Sequence, residues 1–169
     1  FSDRFNCSFD DLREEILSWL KDQELILMPF YSGAEELNYQ SLLIGPLNAS
    51  FFAAALAEIQ GFIPKKDIPK NFSPKSITYL APTFRHTHCD GKQLVIHNRT
   101  DDVHEIFSLN LYPGPSAKKG IYGVLLNLGE KEGWLTAHGS TVRVTTPYDN
   151  EYVIMHEGAS GGGKSEMLQ

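Results

Sequence analysis

A stretch near the end of the chain, Gly158-Ala159-Ser160-Gly161-Gly162-Gly163-Lys164-Ser165, fits the pattern G-x-x-x-x-G-K-[ST]. Holding a phosphate group requires several backbone N–H groups to converge on its oxygens. A Cβ at the converging positions would block the approach, which is why glycine recurs there. In such a cradle Lys164 reaches the outer phosphates, the Ser165 hydroxyl can ligate a divalent cation, and a helix starting near Gly163 adds its positive end. The competing reading is a plain glycine-rich turn. Context favours the cradle, because the apolar run "EYVIMHEG" precedes it and "KSEMLQ" can begin a helix behind it.

Further upstream, "YPGPSAKKGIYG" sets Lys118 and Lys119 beside Gly120, and "LTAHGS" sets His138 after a short apolar run. Alone, a lysine pair reads as solvated surface and such a histidine as a packed core residue. Their order along the chain carries more. Tyr112, Gly114, Lys118-Lys119-Gly120, the apolar "IYGVLLNLG", His138-Gly139-Ser140, "YVIMHEG" and the glycine loop follow one another. This series resembles that of phosphoenolpyruvate carboxykinases of the ATP-dependent type, including the spacing from lysine to histidine. Weaker similarity reaches back through "FSPKSITYLAP" and "NASFFAAALAEIQGF" to about Asn38, with the specific part confined to the last third. The chain departs from the family's pattern at "PGPSA", at "HGSTV" and within the loop. There the sequence "GASGGGKSE", with Glu166, is similar to the loop of HPr kinase/phosphorylase.

The resemblance implies roles residue by residue. Lys119, as a neutral amine, and His138 would ligate a transition-type divalent cation. Lys118 would sit near the nucleotide phosphates and the transferred phosphoryl group, and Tyr112 would face a small organic acid. Adjacent cations and a metal would lower the lysine pKa enough for it to ligate. Two nitrogen ligands suit Mn²⁺ better than Mg²⁺. A second ion, Mg²⁺ bridging the phosphates of ATP, would use Ser165. Lys118, Lys119 and Lys164 would then be the catalytic lysines. The resemblance implies β-keto acid decarboxylation coupled to phosphoryl transfer. The alternatives are a kinase or phosphorylase like the HPr enzyme and a non-catalytic nucleotide sensor. The chain opens on Phe1 and stops shortly after Lys164. It therefore reads as part of a longer enzyme that needs the remainder of its own polypeptide, and by itself it is not expected to turn over substrate.

These residues must be positioned by a mixed framework. Ser8 can cap a helix running to about Asp22, with Leu12, Ile16, Trp19 and Leu20 on one face. "ELILMPFY" reads as a buried strand, and Asn48 can cap a second helix that Gly61 stops, with Phe51 and Phe52 in the core. Ile63–Pro74, with three prolines and lysines at 65, 66 and 70, is a surface loop. Strands follow at Ser76–Pro82, Lys92–Asn98, His104–Tyr112 and Glu151–Gly158, whereas Gly120–Gly129 fits helix or strand. The expected fold is α/β: a mixed sheet with helices over 1–133, similar to the carboxykinase N-terminal domain. The first strand and phosphate loop of a nucleotide domain follow over 134–169. Arg85 and Arg99 could hold a carboxylate. "RHTHCD" (Arg85–Asp90) could hold a metal, but a polar loop is the better reading.

Bulk properties narrow the function. The chain has 169 residues, 41% of them hydrophobic, and a formal net charge of −6 with no basic face for a nucleic acid. No apolar run approaches the ~20 residues of a membrane span. The charged opening residues do not form a signal peptide. Cys7 and Cys89 show no zinc spacing and read as reduced thiols in a cytoplasmic protein.

Overall fold

The computed structural model describes residues 3, 7–33, 37–84, 92–110, 114–159, 161–164 and 166, with the side chains of 114–118 outside that description. The chain divides into two compact units, Phe1–Leu128 and Gly129–Gln169.

The first unit is a mixed α/β layer structure. Helix α1 spans Phe9–Lys21. Its first turn is fixed by Ser8, whose Oγ accepts the Asp11 N–H at 3.4 Å, and by the favourable charges of Asp10 and Asp11. Strands β1 (Leu25–Ser32) and β2 (Tyr39–Pro46) form an antiparallel pair. A short 3-10 turn (Leu47–Ala49) leads into α2 (Ser50–Gln60), which ends at Gly61 with φ +74°. Strands β3 (Ser76–Ala81), β4 (Leu94–Arg99) and β5 (His104–Leu109) complete a five-stranded sheet of order β1-β2-β3-β5-β4. The central strands β2, β3 and β5 run parallel, and the edges β1 and β4 run antiparallel to them. Helix α3 (Gly114–Lys131) follows.

A parallel centre must be covered on both faces, and every residue of β5 is buried. On one face Phe52 and Leu56 of α2 and Ile121 of α3 pack with Phe30, Leu43 and Leu80. On the other, Leu12, Ile16 and Leu20 of α1 recur at i, i+4 and i+8 and meet Tyr79, Phe107 and Leu109. Tyr79 stacks on Phe107 with ring centroids 4.7 Å apart. Two glycines let α3 approach closely: a Cβ on Gly120 would lie 3.0 Å from Ile106 Cδ1, and one on Gly123 would lie 2.8 Å from the His97 ring. Under that contact His97 Nδ1 and the buried His104 Nε2 share a hydrogen bond of 2.8 Å between β4 and β5. Burial, then the charge of Arg99, pushes the His97 pKa down.

Most expected elements are present, with corrections at particular residues. Asn48 does not cap α2. It lies in the 3-10 turn, and the helix starts from Ala49 without a side-chain cap. Phe51 is 54% exposed, so only its neighbour Phe52 joins the core. The ambiguous Gly120–Gly129 run is helix, because it lies inside α3. Strand β2 was not anticipated. Arg85 and the rest of "RHTHCD" lie outside the described residues, while Arg99 is exposed at the end of β4. Among the described residues no helix is long and apolar enough to cross a membrane.

One ion pair ties α1 to the sheet. Glu105, 3% exposed on β5, accepts from Arg13 Nη2 at 2.6 Å, Arg13 Nε at 3.0 Å and Asn98 Nδ2 at 2.8 Å. Burial alone would raise the carboxyl pKa. The hydrogen bonds from Arg13 and Asn98 and the Arg13 charge more than reverse it, so Glu105 sits below the usual carboxylate range. Its contribution to stability is therefore complete above the unfolded carboxylate pKa and is lost as pH falls through the lower folded value. Arg13→Ala strands a buried charge. Because Arg13 reaches solvent, the expected loss is about 2–3 kcal/mol, below the range for fully buried pairs. Urea unfolding at pH 7 should show this loss, and it should shrink at pH 3. An equal effect at both pH values would contradict the ion-pair account.

Candidate functional site

The second unit carries the glycine loop. Gly133, with φ +80°, ends α3, and the Trp134 N–H donates to the Gly129 carbonyl at 2.8 Å. Strands β6 (Gly139–Thr145) and β7 (Glu151–Glu157) then form an antiparallel hairpin. Its turn is closed by the Thr146 N–H donating to the Asn150 carbonyl at 2.9 Å, with Asp149 in the left-handed region at φ +58°. β6 was not anticipated, and β7 falls within the expected Glu151–Gly158 strand.

The hairpin's register determines what meets at its open end. Gly139 pairs with Glu157. His138, one residue before Gly139, and Gly158, one residue after Glu157, therefore leave the hairpin side by side. The approach is close: a Cβ on Gly139 would lie 2.8 Å from the His156 carbonyl oxygen. The "HGS" triplet and the start of the loop are thus brought together by strand pairing. His138 is exposed there.

The loop itself is tightly wound. Gly161 (φ +82°) and Gly163 (φ +76°) occupy the left-handed region that L side chains rarely adopt. The Gly162 N–H donates to the Ala159 carbonyl at 3.0 Å, and a Cβ on Gly162 would lie 3.0 Å from that same oxygen. Gly161 and Gly163 are therefore favoured by conformation and Gly162 by tight space. The Lys164 side chain folds back over the loop, and its Nζ donates to the carbonyls of Gly158 and Ala159, each at 2.8 Å. Both contacts are solvent-exposed, so the ammonium bridges the loop's ends while remaining open to an anion. Ser140 fixes this arrangement from β6: its Oγ donates to the Lys164 carbonyl at 3.1 Å.

Ser140 is the residue whose part the sequence reading left blank. It was visible only as the third letter of "HGS", and its partner lies 24 residues away. Ser160 and Ser165 lie outside the described residues, as does Tyr112. Lys119 is an exposed residue of α3 in the first unit, and Lys118 precedes it on the same helix, its side chain outside the description. Among the described residues, no group of three or more His, Cys, Asp or Glu is placed to hold a metal ion.

Both faces of the hairpin are open. Tyr152, Val153, Ile154 and Met155 of β7 are all exposed, although neighbouring residues point to opposite faces.

Removing the Ser140 hydroxyl should loosen the loop. One neutral hydrogen bond contributes about 1 kcal/mol, so Ser140→Ala should speed amide hydrogen exchange across Gly161–Lys164 by about fivefold. Ser140→Thr should keep the slow rates. Unchanged exchange in the alanine variant would show that the bond does not hold the loop.

No curated protein matches the chain in sequence. The family model of a domain of unknown function, DUF4914, matches residues 1–169, and the chain belongs to that family.

Proposed function

We propose that the chain is the nucleotide-phosphate-binding part of a metal-dependent phosphotransfer enzyme similar to phosphoenolpyruvate carboxykinase, with ATP as its nucleotide and a small organic acid as its second substrate. The observation that carries this reading is the loop at the end of β7. Gly161 and Gly163 hold a conformation that L side chains rarely adopt, and Lys164 is held across the loop's ends. A phosphate fits this cradle on physical grounds, because the backbone can approach an anion and a lysine stands beside it. Gly158, Gly161, Gly162 and Gly163 would line it, joined by Ser160 and Ser165 on the strength of the sequence pattern.

The metal is argued from donor chemistry. The exposed imidazole of His138 and the exposed amine of Lys119 are the nitrogen donors that the resemblance assigns to Mn²⁺, and Ser165 is the oxygen donor it assigns to Mg²⁺. When bound, such ions supply Lewis-acid stabilisation of developing negative charge. The protein's own part is to hold and orient. The register of β6 against β7 fixes His138 beside the loop, and Ser140 fixes the backbone of Lys164. In this reading Lys118 and Lys164 supply positive charge to the phosphoryl group in flight, and Tyr112 faces the acid. The open faces of β7 support a partner role for further strands and helices of the same polypeptide, in a cytoplasmic enzyme. A second reading, a kinase or phosphorylase like the HPr enzyme, is favoured by Glu166 directly behind the Lys164-Ser165 pair.

Calorimetric titration with ATP and Mg²⁺ tests the loop, and spin resonance of Mn²⁺ tests the metal site. Lys164→Ala should weaken ATP by about tenfold to a hundredfold, the loss of a charge-assisted contact. Lys119→Ala and His138→Ala should each weaken Mn²⁺ by at least about tenfold. ATP binding with Mn²⁺ affinity untouched by either variant would reject the carboxykinase-like site and leave the sensor. Phosphorylation of a protein hydroxyl without decarboxylation would select the second reading.

A further inference from the structure

A cleft remote in sequence from the phosphate loop has the make-up of a separate ligand site. Helix α1 covers β3, β5 and β4 but not the outer wing of the same sheet face. On that wing Leu27 pairs with Ile44 and Pro29 with Leu42, which places these side chains together on one face. The proline-rich loop after α2 passes over them and leaves a cavity of about 600 Å³. Leu27, Pro29, Leu42, Phe62, Ile68 and Phe72 line it, and Lys65 is the one ionisable group in its lining among the described residues. Leu27 is 62% exposed and Phe62 61% exposed, so the apolar wall is open to an incoming ligand. The volume falls in the range of small-molecule sites, about 300–1,000 Å³.

The walls are fixed without an occupant. The Ile63 N–H donates to the Pro29 carbonyl at 2.8 Å and so ties the loop to the sheet edge. The Asp67 N–H donates to Pro64 at 2.8 Å and the Phe72 N–H to Pro69 at 3.0 Å, each closing a turn that a proline pre-sets. The Ser73 N–H donates to Gln40 Oε1 at 2.7 Å and ties the far end of the loop to β2. A preformed site loses less ordering entropy on binding.

Charge selects the occupant. The loop carries Lys65, Lys66 and Lys70 against the single acid Asp67, in a chain whose overall charge is −6. A second copy docking through this face would bring the same lysines face to face. We infer that this cleft binds an amphipathic monoanion, an apolar chain ending in a carboxylate, with the chain against Leu27, Leu42 and Phe72 and the head group among the loop lysines.

Decanoate, decanol and decyltrimethylammonium, titrated into the whole chain by calorimetry, test this. Decanoate should bind with a stoichiometry of one, and the ammonium analogue at least about fivefold more weakly, as expected for a rim charge. The double substitution Leu27→Gln, Phe62→Gln changes only exposed positions. It should weaken decanoate about tenfold while leaving thermal unfolding in place, and Lys65→Glu should weaken decanoate but not decanol. Three results would overturn the inference: no decanoate binding at millimolar concentration, equal binding of anion and cation, or affinity unchanged by the double substitution. A dimer seen in sedimentation, abolished by that substitution and formed without decanoate binding, would assign the cleft to self-association instead.

Discussion

The arrangement of the second unit depends on one close approach, between the backbone of β6 at Gly139 and that of β7 at His156. With no side chain at Gly139, the strands meet at a distance that any Cβ would forbid. That contact accompanies the register in which Gly139 faces Glu157. The register in turn decides that His138 and Gly158 emerge together and that Ser140 can reach the Lys164 carbonyl. The loop is therefore shaped from two sides: by its own left-handed glycines and by a hydroxyl delivered from the neighbouring strand. A loop shaped in advance does not have to be ordered by the anion it receives, which is how a few backbone N–H groups become an effective site.

The first unit follows a different constraint. Three parallel strands at the centre of a sheet leave no face for water, so helices must lie on both sides. Alanine-rich α2 and the glycine-bearing α3 approach one face closely, and α1 is held to the other by its apolar stripe and by Arg13 reaching Glu105. Only the β1–β2 wing escapes this cover, and the loop that crosses it is stiffened by proline rather than packed by a helix. The cleft is thus a consequence of a sheet one helix wider than its lid.

The sequence was legible where local signals sufficed. Ser8 and the Leu12, Ile16, Leu20 stripe marked α1, Gly61 ended α2, and Gly158–Lys164 announced the loop. It was less legible where tertiary packing decides. "YQSLLIGP" lacks a clean apolar alternation because the polar Ser41 sits on the buried face while Leu42 and Ile44 sit on the half-buried one, and Ser41 reads as loop until it is seen sharing a buried hydrogen bond of 2.8 Å with Ser76. "IYGVLLNLG" fits two periodicities, and the helix wins because Gly120 and Gly123 can settle on Ile106 and His97. Asn48 has the chemistry of a cap, but the preceding 3-10 turn moved the helix start beyond it. Glu105 and Arg13 lie 92 residues apart, a separation at which no local pattern speaks. The same holds for Ser140 and the loop it ties down.

The account turns on whether the wound loop receives phosphates. Amide chemical shifts of the isotopically labelled chain, followed while inorganic triphosphate is added, address this directly. The account predicts large shifts at Gly161, Gly162, Gly163 and Lys164 that saturate together, with the β1–β2 wing unmoved. Shifts spread over the surface lysines, with the glycine amides silent at saturating triphosphate, would contradict it.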